Sequence, residues 1–109
     1  MTKTPVTLFD LQPFLVAAQA KVTADYLAWG NDSEYARKNI PQLTLEPGSR
    51  YVRIVSESHG HRSSFGFVDL TTGDVLKSNS WKAPAKNFAR GNINDENSGC
   101  GRIRWTGVF

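Results

Sequence analysis

The sequence predicts an α+β domain: N-terminal helices followed by a small antiparallel sheet with an inserted short helix. Three observations lead there. Apolar residues from Leu11 to Trp29 recur at steps of three and four, the period of one helix face. From Arg50 the pattern changes to β-branched and aromatic alternation, the signature of strands. A chain of 109 residues suits one domain around a single hydrophobic core.

Residues 1–9 read as a loose arm, 10–40 as helical and 50–109 as sheet. Asp10 is the expected N-cap, and Pro13 falls in the first turn, where its missing N–H costs nothing. Leu11, Leu15, Ala18, Val22, Tyr26 and Trp29 form one stripe, widened by Phe14. Gly30 is the expected stop. The stripe suits either a core face or a subunit interface. A second short helix is expected from Asp32 or Ser33 to about Asn39, ended by Pro41.

Tyr51 to Val55 predicts the first strand, after a Gly48 turn. Ser58–His61 reads as a polar loop, and Ser64–Leu70 as the second strand. Thr71–Asp74 is a hairpin loop, and Val75–Lys77 returns as the third strand. Pro84, placed before Ala85–Arg90 and Gly91, predicts the short helix 84–90. Residues 94–101 are loop, and Arg102–Val108 alternates as one last strand.

Eleven percent aromatic residues and three tryptophans argue against disorder. The lone Cys100 cannot form an internal disulfide, and no apolar run approaches the roughly twenty residues of a membrane helix. No secretory pattern opens the chain, so the cytosol is the expected location and no membrane association is expected. Net charge is +3, unevenly placed. Residues 1–49 hold four cations against five acids, while residues 50–109 hold nine against five. An anionic partner would gain from the second half.

That half contains the candidate site. Arg62 to Glu96 interleaves rings, cations and amides: Trp81, Lys82, Lys86, Phe88, Arg90, Asn92. Cations suit phosphate, flat side chains suit stacking, and amides suit base or ribose edges. A helix over 85–90 would set Lys86 and Arg90 one turn apart on one face. Arg102 and Arg104 alternate with Ile103 and Trp105, and arginine favours bidentate phosphate contact; Arg53 and Arg62 are weaker candidates of the same kind. The site residues taken forward are Arg62, Trp81, Lys82, Lys86, Phe88, Arg90, Asn92 and Arg104.

Catalytic and metal signatures are weak. His59 and His61 stand two apart with Glu57 near them, one ligand or more short of a site. No Gly-x-Ser-x-Gly turn, dinucleotide-binding glycine pattern or Walker-type loop occurs. A binding protein is expected, not an enzyme, with no cofactor.

Arg62-Ser63, Phe67-Val68-Asp69, Thr72-Gly73-Asp74-Val75 and Lys77 are followed by Ser80 to Lys86 (SWKAPAK), then Ala89 to Ile93 with Asp95. Over about a third of the chain, these strings resemble small proteins of tailed bacteriophages and prophages. Among characterised families they are most similar to the Thoeris anti-defence sponges. The resemblance implies helices followed by a sheet, homo-oligomeric assembly and action in the cytoplasm of the host bacterium. It also implies capture, without catalysis, of a cyclic nucleotide immune signal between protomers: a cyclic ADP-ribose isomer or a cyclic oligonucleotide. Stacking would then fall to Trp81 or Phe88, base or ribose contacts to Asn92, and phosphate contacts to Arg62, Arg90 and Arg104. The alternative is a phage single-stranded nucleic-acid-binding or virion-associated structural protein, which interleaved rings and cations serve equally well.

Overall fold

The computed structural model describes residues 7–85 and 89–109. Helix α1 spans Gln12–Trp29, with Pro13 in its first turn. Its N-cap is Leu11, which lends no side-chain hydrogen bond. Asp10 serves the preceding turn instead: its Oδ2 accepts from the Thr7 N–H and hydroxyl, both at 3.0 Å. Leu11, Phe14, Ala18, Val22 and Tyr26 are buried, while Trp29 is exposed. The stripe that suited core or interface is therefore mostly core: Leu15 is partly buried against it, and Trp29 reaches the surface.

The helix ends at Gly30, where a Cβ would lie 2.6 Å from that of Ala36. Its bareness lets the next helix close in. Asn31 and Asp32 turn the chain through left-handed conformations, φ 56° and 53°. Helix α2, Glu34–Lys38, is capped by Ser33, whose Oγ accepts from the Ala36 N–H at 3.1 Å. Glu34 lies in its first turn and Arg37 and Lys38 in its last, charges matched to the helix dipole.

Five strands follow as an antiparallel meander in chain order: β1 Gln42–Pro47, β2 Tyr51–Ser58, β3 His61–Asp69, β4 Asp74–Leu76 and β5 Gly91–Asn92. The sheet thus begins at residue 42, before the Arg50 start that the sequence suggested. β1 has only Leu43 and Leu45 as apolar strand residues and ends in proline, so alternation alone is too short to reveal it. Its pairing with β2 supplies the strand. The polar loop at 58–61 is a two-residue turn: His59 and Gly60 have φ 55° and 76°, and Ser58 pairs with His61. Positive φ at both central residues matches the right-handed twist of a hairpin.

Opposite Ile54 stands Gly66 and opposite Val55 stands Ser64, so Phe65 is the extra residue of a bulge. Phe65 joins Val52, Ile54, Val68 and Val75 in the core against α1. The other face carries the paired row Glu46, Arg53, Phe67 and Leu76.

Two further expectations change. Residues 84, 85, 89 and 90 are not helical; Pro84 bridges to Ser78, and the Ala85 N–H donates to Lys77 O at 2.7 Å. The fixed φ of proline serves an extended segment as readily as a first helical turn. Residues 86–88 of that predicted helix lie outside the described residues. The single last strand is a hairpin, β6 Ile103–Arg104 against β7 Gly107–Val108. Its turn is Trp105–Thr106, and Gly107 has φ 148°. Folded this way, the hairpin caps the core with Ile103 and Val108.

Candidate functional site

Cross-strand pairing sets Glu46 beside Arg53 on the sheet face away from α1, within reach of Arg62 near the far end of β3. Arg53 NH1 meets Glu46 Oε1 at 2.8 Å, and Arg62 NH2 pairs with the other oxygen, Oε2. Both guanidiniums lie over the Trp81 ring, at 4.5 Å for Arg53 and 5.6 Å for Arg62. Arg53 Nε also donates to the Trp81 carbonyl at 2.8 Å. Trp81 keeps 39% of its surface exposed.

The hydrogen bond from Arg62, then that from Arg53, holds the Glu46 carboxyl below its ordinary range against the opposing effect of desolvation. Two cations thus share one carboxylate beside an open indole. The cluster retains a unit of positive charge and a flat ring, chemistry suited to an anionic ring compound.

Of the eight predicted residues, Arg62 and Trp81 meet here. Lys82 follows, exposed, with its N–H donating to Ser80 Oγ at 3.3 Å. Lys86 and Phe88 lie outside the described residues. Arg90 is placed elsewhere: its Nε donates to the Phe109 main-chain oxygen at 3.0 Å, with Arg102 NH1 3.4 Å from the same atom. Lys77 Nζ lies 5.8 Å from the centre of the Phe109 ring.

The Asn92 amide works inside the fold. Its Nδ2 donates to Thr72 O at 2.9 Å and Asp74 Oδ1 at 3.0 Å, and its Oδ1 accepts from the Asn94 N–H and Nδ2. It staples β5 to the 72–74 turn. Arg104 is exposed on β6, 3.9 Å from Asp25 Oδ1, whose Oδ2 accepts the Trp105 N–H at 2.9 Å. The expected set is therefore divided among separate places on the molecule.

Sequence reasoning ranked Arg53 low and missed Glu46. Recognising β1 was the signal needed, since register then pairs the two. His59 stacks on Tyr35 at 5.6 Å, and no group of three His, Cys, Asp or Glu with metal-site geometry occurs among the described residues. Cys100 is buried, and burial raises its thiol pKa while Lys21 opposes the shift. No helix among the described residues is long and apolar enough to cross a membrane.

Neither a curated protein nor a solved structure matches the chain. A family model does match, over residues 10–109, the sheet and the Arg–Trp cluster included; the chain belongs to the family of unknown function DUF7717.

Proposed function

We propose that this protein is a phage-encoded nucleotide-binding sponge. It sequesters a cyclic nucleotide immune signal, a cyclic ADP-ribose isomer or a cyclic oligonucleotide, in the host cytoplasm and releases it unaltered. The observation that carries this reading is the convergence of Arg53 and Arg62 on the exposed Trp81 ring. The SWKAPAK and ARGNI strings support it through their similarity to anti-defence sponges. The indole stacks on a base, and the two guanidiniums exchange the Glu46 carboxylate for a ligand phosphate. Lys82 adds charge at the rim. These groups hold an anion, and none is arranged as a nucleophile with its base.

Association of copies belongs to the same proposal. Apolar side chains also lie outward here: Val16 on α1 is 69% exposed, and Phe9 in the turn before the helix is 83% exposed. With Pro13, Ala17 and Ala20, and with Asp10 and Gln12 also in the lining, they form a shallow depression of about 720 Å³. An exposed apolar patch of this kind is normally covered, and a second copy supplies the cover.

The second reading, a single-stranded nucleic-acid-binding or virion-associated protein, draws on the same ring and cations. Calorimetric titration with cyclic ADP-ribose isomers, cyclic di- and trinucleotides and a short single-stranded oligonucleotide separates the two. Saturable binding of a cyclic nucleotide, recovered intact on heating, supports the sponge. Binding of the oligonucleotide alone, fading steeply with salt, supports the rival. Silence across the panel removes both ligand readings.

A further inference from the structure

The core-facing row of β2 changes character partway along. Val52 and Ile54 are apolar, but after the bulge the helix-side positions become Ser56 and Ser58. They pair across β3 with Ser63 and His61. These four residues, with Pro41 and the Trp105–Thr106 turn, line a pocket of about 250 Å³.

Ser56 is only 9% exposed, yet its hydroxyl has no hydrogen-bond partner among the described residues, and neither do those of Ser63 and Thr106. Ser58 is the exception, donating to Asn39 O at 3.2 Å. Among the described residues no fully buried side-chain oxygen lacks a partner, so the Ser56 hydroxyl opens into the pocket, where it is free to donate and accept. Trp105 forms one wall and is itself held by Tyr26 and Trp29, ring centres 5.1 and 5.0 Å away.

We propose that this pocket binds one small neutral ring bearing several hydroxyls: a monosaccharide, or the ribose of a nucleoside. Among the described residues no Lys, Arg, Asp or Glu lines the pocket, so it offers no permanent counter-charge to an ion, and His61 is the one titratable side chain in its lining. Serine and threonine hydroxyls both donate and accept, which matches sugar hydroxyls. The indole presents a flat apolar surface to the C–H face of such a ring, and the volume admits one ring. The site stands independently of the Arg–Trp cluster, and either can fail without the other.

The test is a titration of isotope-labelled protein followed by amide and indole resonances, with D-ribose, methyl β-glucoside and uridine as probes. Saturable shifts at Ser56, Ser63, Thr106 and Trp105, with dissociation constants of about 1 mM, support the site. A response to the free sugars assigns a monosaccharide; a response to uridine alone assigns a nucleoside. S56A and S63A should each weaken binding about fivefold or more, the loss expected of one hydrogen bond. S56A should leave the thermal midpoint unchanged or raised, because no protein partner is orphaned. No shift with any probe, shifts centred on Trp81 instead, or undiminished binding in both variants overturns the proposal.

Discussion

The Arg53 guanidinium lies 4.5 Å from the centre of the Trp81 ring while its Nε donates to the carbonyl of the same residue at 2.8 Å. One strand residue thereby holds both the backbone and the side chain of a loop residue twenty-eight positions away. Arginine alone supplies this, because its planar fork stacks and donates at once. The ring's position is consequently set by β2 as well as by its own loop.

Arg53→Lys should uncouple these two holds. Lysine keeps the charge but loses the fork, so affinity for an anionic ring ligand should fall about tenfold, near 1.4 kcal/mol. Trp81 fluorescence should shift toward the solvent-exposed value. Unchanged affinity with unchanged fluorescence would show that charge alone matters there.

Glu46→Gln tests whether the carboxylate competes with ligand. Freed of it, Arg53 and Arg62 should bind a phosphate-bearing ligand more tightly, by roughly the tenfold that one charge-assisted hydrogen bond commands. Calorimetry measures this. Weaker binding would instead make Glu46 a positioning residue for the arginines.

Asn92→Ala should act on stability. Its amide joins β5 to the 72–74 turn, and removal leaves part-buried partners unmet, costing about 1–3 kcal/mol. Denaturant titration reads the loss. Full stability combined with lost ligand affinity would return Asn92 to the binding surface.

Gly91→Ala probes a close approach between chain segments. A Cβ at Gly91 would meet Gly99 O at 2.8 Å, a main-chain atom with little room to yield. Overpacking of this kind costs about 1–3 kcal/mol, and the thermal midpoint should fall accordingly. Normal stability would mean that the 97–101 loop moves aside freely.

Acid stability should depend on Asp69. Burial alone would raise its pKa, but the Thr71 hydroxyl and N–H, together with Arg50, outweigh that and hold it below 3.8. A depressed carboxylate contributes stability in full above its unfolded value, and this contribution fades as pH falls through the folded one. Arg50→Ala should therefore lower the thermal midpoint near pH 6 and lose that difference progressively below about pH 4. Equal midpoints for both proteins across this range would remove Arg50 from the account.

The candidate site was half legible. Arg62 and Trp81 stood out because charge and aromaticity are properties of residues. Glu46 did not, because its role depends on β1, a strand with two apolar strand residues and a terminal proline. Arg104 and Arg62 look alike in sequence, yet strand pairing and the final hairpin send them to different surroundings. Asn92 resembled a ligand contact because a loop amide looks the same whether it faces a base or a neighbouring turn.

Periodicity by itself determined α1, its apolar stripe, the stop at Gly30 and the β2–β3–β4 meander, since these rest on spacing and on turn residues that act over a few positions; that the stripe is core was decided by the packing. Tertiary structure decided the rest. It made β1 a strand by pairing it with β2 and folded residues 102–108 into a hairpin over Gly66, where a Cβ would lie 2.7 Å from Val108 Cγ2. It also gathered Glu46, Arg53, Arg62 and Trp81 onto one face. Those outcomes depend on which segments meet, and contacts between distant segments leave no period in the chain.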